Sequence, residues 1–216
     1  MKIFLDTAET DVVRKHWKTG LIDGLTTNPS LIRKSGRKHE EVYQEFKDIG
    51  LTDISMEVIG NTENMISEGK RLHKKFGKCS TIKVPCTYDG LQACAHLSVE
   101  GIKVNVTLIF SQAQAILAAK AGAKYVSPFV GRVDDNSFGG LCLVKDIAKV
   151  YREHMVTKTE VLAASLRGVR DVGRAFEYGA DIVTMPPAVF EGMYNHILTD
   201  KGLDQFDKDY EASIQQ

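Results

Sequence analysis

The chain has 216 residues, 43% of them hydrophobic, with 28 basic side chains balanced by 28 acidic ones. That length buries a full core within one domain, and a formal charge of zero leaves no basic field to gather nucleic acid or an anionic membrane surface. Cys79, Cys86, Cys94 and Cys142 show no CxxC spacing, and Asp6 interrupts the first apolar run, so reduced, mostly buried thiols, a cytoplasmic setting and the absence of a signal peptide or membrane span are expected.

From end to end, short β-rich runs alternate with longer helical patterns, the signature of parallel strands joined by helical crossovers. Eight runs read as strands: 2–7 (KIFLDT), 23–28 (DGLTTN), 54–59 (ISMEVI), 80–85 (STIKVP), 103–109 (KVNVTLI), 125–131 (YVSPFVG), 160–165 (EVLAAS) and 181–186 (DIVTMP). Eight βα units favour a closed (β/α)8 TIM barrel over an open sheet. Between the fifth and sixth strands, Ser111 stands at an N-cap position and Gly122 at a helix stop. The tail from Lys201 to Gln216 carries Leu203, Phe206 and Tyr210 at helical spacing. It reads as a last helix that packs on its own barrel or on a neighbouring subunit. Residues 1–216 therefore read as a single barrel domain.

Successive residues of a strand point to opposite sides, and in a barrel one side faces the helices while the other faces the interior. In STIKVP, Ile82 and Val84 share the outward side, so Lys83 points inward with Thr81. The same alternation turns Asp6, Thr26 with Asn28, Glu57, Asn105 with Thr107, and Ser127 with Phe129 inward. It also places Ser165 opposite Leu162 and Ala164. These residues gather near the C-terminal strand ends, where barrel enzymes keep their chemistry. A polar ring there is hard to explain by packing, because each buried polar group is costly unless paired. The bland readings are a structural ion-pair cluster for Asp6, Glu57 and Lys83, and mutual hydrogen bonding for Thr26, Asn105 and Ser127.

A lysine is a nucleophile only when neutral, and burial disfavours its charged form. Such an amine forms a Schiff base with a carbonyl substrate. Asp6 and Glu57 pull the other way, so sequence leaves open how the amine loses its proton. Arg132 and Arg167 follow the sixth and seventh strands, with Ser165 beside the second. Loops after late barrel strands often hold phosphate, and the arginine fork suits phosphate oxygens; pairing with Asp134, Asp135 or Asp171 is the alternative. The six histidines, at positions 16, 39, 73, 96, 154 and 196, show no metal-ligand spacing and read as surface residues.

Six segments, FLDTA, GLTTNPSL, IKVP, GIKVNVTLIFSQAQAILAAKAGAKYVSPFVGR, AASLR and DIVTMP, together resemble the small transaldolases and fructose-6-phosphate aldolases, in order and across nearly the whole chain. The resemblance implies a TIM barrel with Lys83 as the Schiff-base lysine and Asp6 as the proton-transfer aspartate. It also implies that Thr107 is the ring threonine, that Asn28 binds substrate, and that Arg132, Ser165 and Arg167 bind phosphate; the mechanism expected of these residues has Glu57 act through a water shared with Thr107. Thr26, Asn105, Ser127 and Phe129 complete the substrate cavity. It further implies phosphorylated sugar substrates of the pentose phosphate pathway, no metal or organic cofactor, and a homo-oligomer, two rings of five, held partly by the C-terminal helix. Glu57, Phe129 and Arg167 match the transaldolase branch, where the aldolase branch has Gln, Tyr and Lys. The expected activity is transfer of a dihydroxyacetone unit between ketose and aldose phosphates. The competing readings are an aldolase that releases free dihydroxyacetone, a sugar-phosphate isomerase or epimerase without a covalent lysine, and a noncatalytic sugar-phosphate binding barrel.

Overall fold

The computed structural model describes residues 1–214. The chain runs β1 (Lys2–Asp6), α1 (Thr10–Trp17), β2 (Gly24–Thr26), α2 (Pro29–Ser35), α3 (His39–Ile49), β3 (Ile54–Glu57), α4 (Thr62–Phe76), β4 (Ser80–Pro85), α5 (Tyr88–Val99) and β5 (Val104–Ile109). It continues through α6 (Gln112–Lys120), β6 (Tyr125–Pro128), α7 (Val130–Asp135), α8 (Gly140–Glu153), β7 (Glu160–Ala163), α9 (Val169–Glu177), β8 (Ile182–Met185), α10 (Pro187–Gly192) and α11 (Ile197–Ser213). Each strand pairs in parallel with the next, and β1 pairs with β8 to close the barrel. The expected TIM barrel is present, with all eight strands shorter than or equal to their expected runs.

Two apolar layers hold it together. Leu5, Leu25, Met56, Ile82, Val84, Val104, Val106, Val126 and Val183 are fully buried on the outer face of the strands, packed against the helices. Burying an aliphatic side chain of this size contributes about 1.5–3 kcal/mol. Inside the barrel a separate cluster joins Phe4, Tyr125, Leu162, Ala164 and Ile182, with the Phe4 and Tyr125 rings edge to face at 6.1 Å. Gly24 is required there, because a Cβ would lie 2.6 Å from the Phe4 ring. Below this cluster Asp53 accepts hydrogen bonds from Thr81 Oγ1 at 2.7 Å, Lys103 Nζ at 2.8 Å and the Tyr125 hydroxyl at 2.8 Å. Thr81, inward as expected, is thus a structural residue of the barrel floor.

The alternation holds where the strands are regular and fails at two ends. Leu162 and Ala164 face the interior, contrary to the expected outward orientation. Ser165 still reaches the cavity, because β7 has ended and its backbone adopts φ 60°. In β5, Leu108 takes φ 59° and the register against β6 shifts between Val106 and Ile109. This bulge lets Thr107 remain inward while Ile109 turns back to the outer core.

Other expectations are adjusted by packing. His16 is not a surface residue: it is buried against Phe190, ring centroids 5.1 Å apart, with Nε2 3.1 Å from Glu191. Cys94 is buried, Cys79 and Cys86 are half-buried, Cys142 is exposed, and all four are free thiols. Ser111 caps α6 by accepting from Gln114 N at 3.2 Å. The last helix begins at Ile197, earlier than expected, and its expected end at residues 215–216 lies outside the described residues. None of α11 is buried on its own barrel, and Leu203, Phe206 and Tyr210 are exposed. No helix of the described residues is long and apolar enough to cross a membrane.

Candidate active site

A cavity of about 110 Å³ opens at the C-terminal mouth of the barrel, lined by Asp6, Thr26, Asn28, Lys83, Thr107, Ser127, Phe129, Arg132 and Ser165 together with Ala164 and Thr184. Lys83 stands at its floor, only 5% exposed. Its Nζ lies 3.0 Å from Glu57 Oε2 and donates to the Thr27 carbonyl at 3.0 Å. Register explains the first contact: β3 pairs with β4 so that Glu57 sits opposite Lys83. Glu57 is therefore a partner of the amine from the neighbouring strand, and it is not among the residues that line the cavity.

Asp6 faces the same space from β1. Its Oδ1 accepts from Thr26 Oγ1 at 2.8 Å, and that hydroxyl lies 2.7 Å from Thr184 Oγ1. Burial pushes the Asp6 carboxyl above its ordinary range; the Lys83 charge and the Thr26 hydrogen bond oppose this, and the Glu57 charge adds to it. A carboxyl raised in this way is a stronger base toward a substrate hydroxyl than a free carboxylate is. Asn28 caps α2, accepting from Leu31 N at 3.0 Å through Oδ1. This fixes the side chain and leaves its amide nitrogen for the cavity.

Asn105 lies one layer back. It donates to Ser55 Oγ at 3.2 Å and accepts from Ser127 Oγ at 2.7 Å. It positions Ser127 and does not line the cavity itself. Thr107 Oγ1 is buried in the cavity lining without a hydrogen-bond partner among the described residues. Leaving such a hydroxyl unpaired costs about 1–3 kcal/mol, so the site favours a polar ligand that reaches it.

The rim is built from α7 and the turn after β7. Arg132 lies 4.9 Å over the Phe129 ring, whose edge meets Phe110 at 6.0 Å. Gly131 N donates to Ser165 O at 3.1 Å. A Cβ on Gly131 would lie 2.4 Å from that carbonyl and 2.7 Å from Arg167 Nε. Gly131→Ala is expected to part these two loops, destabilising the protein by about 1–3 kcal/mol. Thermal melting checks this, and an unchanged melting temperature contradicts it.

Arg167 departs from expectation. It does not line the cavity; its two terminal nitrogens pair with the two carboxylate oxygens of Asp135. Two lining residues, Thr184 and Ala164, are absent from the set expected from sequence. Thr184 follows the same alternation, opposite Val183 and Met185, on the eighth strand. Ala164 has no chemical signature.

The family model described as Transaldolase/Fructose-6-phosphate aldolase matches residues 3–216. The chain is 52% identical over 216 residues to a "Probable transaldolase" of Caulobacter vibrioides (strain NA1000 / CB15N), covering 100% of this chain and 99% of that one. It is 51% identical over 211 residues to a protein of the same name from Paracoccus denitrificans (strain Pd 1222), covering 97% and 96%. Among solved structures, a point mutant of flavocytochrome B2 is similar at TM-score 0.64 and 14% identity, over 86% of this chain and 56% of that one. That likeness is one of fold alone.

Proposed function

Because the chain belongs to the Transaldolase/Fructose-6-phosphate aldolase family, we propose that its barrel acts as a transaldolase, moving a dihydroxyacetone unit from a ketose phosphate to an aldose phosphate. The observation that carries the reading is a buried lysine amine 3.0 Å from Glu57, facing a cavity shared with Asp6. Glu57 takes a proton from the Lys83 ammonium, and the neutral amine attacks the keto carbon of fructose 6-phosphate. Protons passed between Glu57 and Thr107 through a water convert the carbinolamine to an iminium with loss of water. Asp6 accepts the C4 hydroxyl proton, the C3–C4 bond breaks, and its electron pair flows into the iminium to give an enamine. Glyceraldehyde 3-phosphate departs. The enamine carbon then attacks the aldehyde of erythrose 4-phosphate, Asp6 returns its proton, and hydrolysis frees sedoheptulose 7-phosphate and Lys83.

Asn28, Thr26 and Ser127, backed by Asn105, hold the three-carbon unit; Arg132, Ser165 and Arg167 hold the phosphate. Phe129 supports retention of the enamine, because its ring offers no proton to release free dihydroxyacetone. The exposed apolar residues of α11 support a homo-oligomer, in the family's arrangement two pentamers, and four free thiols support a cytoplasmic setting. Two measurements test the activity. Borohydride added with fructose 6-phosphate should leave a stable adduct on Lys83, and an unmodified Lys83 would overturn the Schiff base. Turnover of fructose 6-phosphate should require an aldose acceptor; rapid release of dihydroxyacetone without one would make the protein an aldolase.

A further inference from the structure

Arg167 is at the mouth but already occupied. The two terminal nitrogens of its guanidinium, the fork that grips a phosphate, are both engaged by the Asp135 carboxylate. Asp135 lies on α7 three residues after Arg132, one helical turn from an arginine that does line the cavity. The Arg167 pairing first, and then the Arg132 charge, hold the Asp135 carboxyl below its ordinary range. The inner edge of Arg167 stays by the site: a methyl placed on Gly131 would lie 2.7 Å from Arg167 Nε and 3.1 Å from Ser165 Oγ. Both members of the pair are half exposed, with side-chain exposures of 56% and 47%. At this exposure solvent screens the pair, and an anion that reaches the fork can compete for it.

We propose that Asp135 is a specificity-determining residue, an internal carboxylate that holds the Arg167 fork until a phosphate displaces it. The inference rests on Arg132, Ser165 and Arg167 being the phosphate site. Binding is then an anion exchange at Arg167. A phosphate dianion gains more from the two arginines than the single charge it displaces, whereas a monoanion gains little and an uncharged hydroxyl nothing. The displaced carboxylate moves into water at small cost because it is already half solvated. Asp135 thereby filters for doubly charged ligands and lowers the affinity for all anions.

The test is calorimetric titration of inorganic phosphate into the wild type, Asp135→Asn, Arg167→Gln and the double variant. Asp135→Asn is expected to bind phosphate roughly three- to tenfold more tightly, and the gain should vanish when Arg167 is also replaced. The KM for fructose 6-phosphate should fall in parallel, and kcat/KM for unphosphorylated fructose should stay unchanged. Weaker or unaltered phosphate binding in Asp135→Asn would show that the aspartate tethers Arg167 in its binding position, overturning the filter. A gain that persists without Arg167 overturns it too, as a diffuse charge effect. The titration needs no turnover, so it stands whether or not borohydride marks Lys83.

Discussion

Lys83→Met is expected to lower kcat by at least ~10⁴-fold, because the electron sink for C–C cleavage forms only on that amine. Borohydride should then leave no adduct. The same change carries a stability penalty. Lys83 and Glu57 face each other with side chains only 6% and 12% exposed. Removing one member of a buried pair leaves the other charge uncompensated, at a cost of about 3–5 kcal/mol. Lys83→Met combined with Glu57→Gln should recover most of that loss in urea denaturation and none of the activity. A single variant as stable as the wild type would mean that Glu57 is not held against the amine. Residual turnover above the stated limit would mean that the lysine is not the nucleophile.

The strand register behind this pairing also makes most of the site legible in the sequence. Lys83, Glu57, Asp6, Thr26, Asn105 and Ser127 lie on regular strand, and Thr107 at the start of the β5 bulge keeps their phase; there apolar residues claim the helix-facing side and leave the interior to whatever remains. A one-residue phase then assigns each of them. Thr184 obeys the same rule. For Ser165 the alternation gives the right place for the wrong reason: Leu162 and Ala164 are the inward residues of β7, and a positive φ at Ser165 restores its approach to the cavity. The Leu108 bulge is equally invisible, because leucine has no preference for positive φ that would announce it. Arg167 shows the limit in another way. Sequence places an arginine near several aspartates, but the choice of partner depends on how the loops after β6 and β7 meet over Gly131, a contact between segments about 30 residues apart.

Asp6→Asn is expected to cut kcat by ~10²–10⁴-fold, the usual worth of a positioned general base or acid, while making the protein more stable near neutral pH. The two effects share one cause. Asp6 is half-buried at the cavity wall, and the Lys83 charge and the Thr26 hydrogen bond do not fully offset its loss of hydration, so its carboxyl is raised above its ordinary range. A carboxyl with a raised folded pKa adds stability below its unfolded value, and that contribution is lost as pH rises through the folded value. Wherever the pH stands above the folded value, the wild type therefore carries an ionised group that folding disfavours. Asparagine carries no such charge and can still accept from Thr26 Oγ1. The melting temperature of Asp6→Asn should exceed that of the wild type at neutral pH, and the gap should close as pH falls toward the unfolded carboxyl range. In kinetics, the acid limb of the wild-type profile should disappear with the residue that must be ionised to take the C4 proton. Iminium formation does not draw on Asp6, so borohydride should still mark Lys83 in this variant. Loss of the adduct would place Asp6 in Schiff-base formation and remove it from the cleavage step. A melting temperature below that of the wild type at neutral pH would show that its charge is compensated in the fold, and that burial is not what tunes this carboxyl for proton transfer.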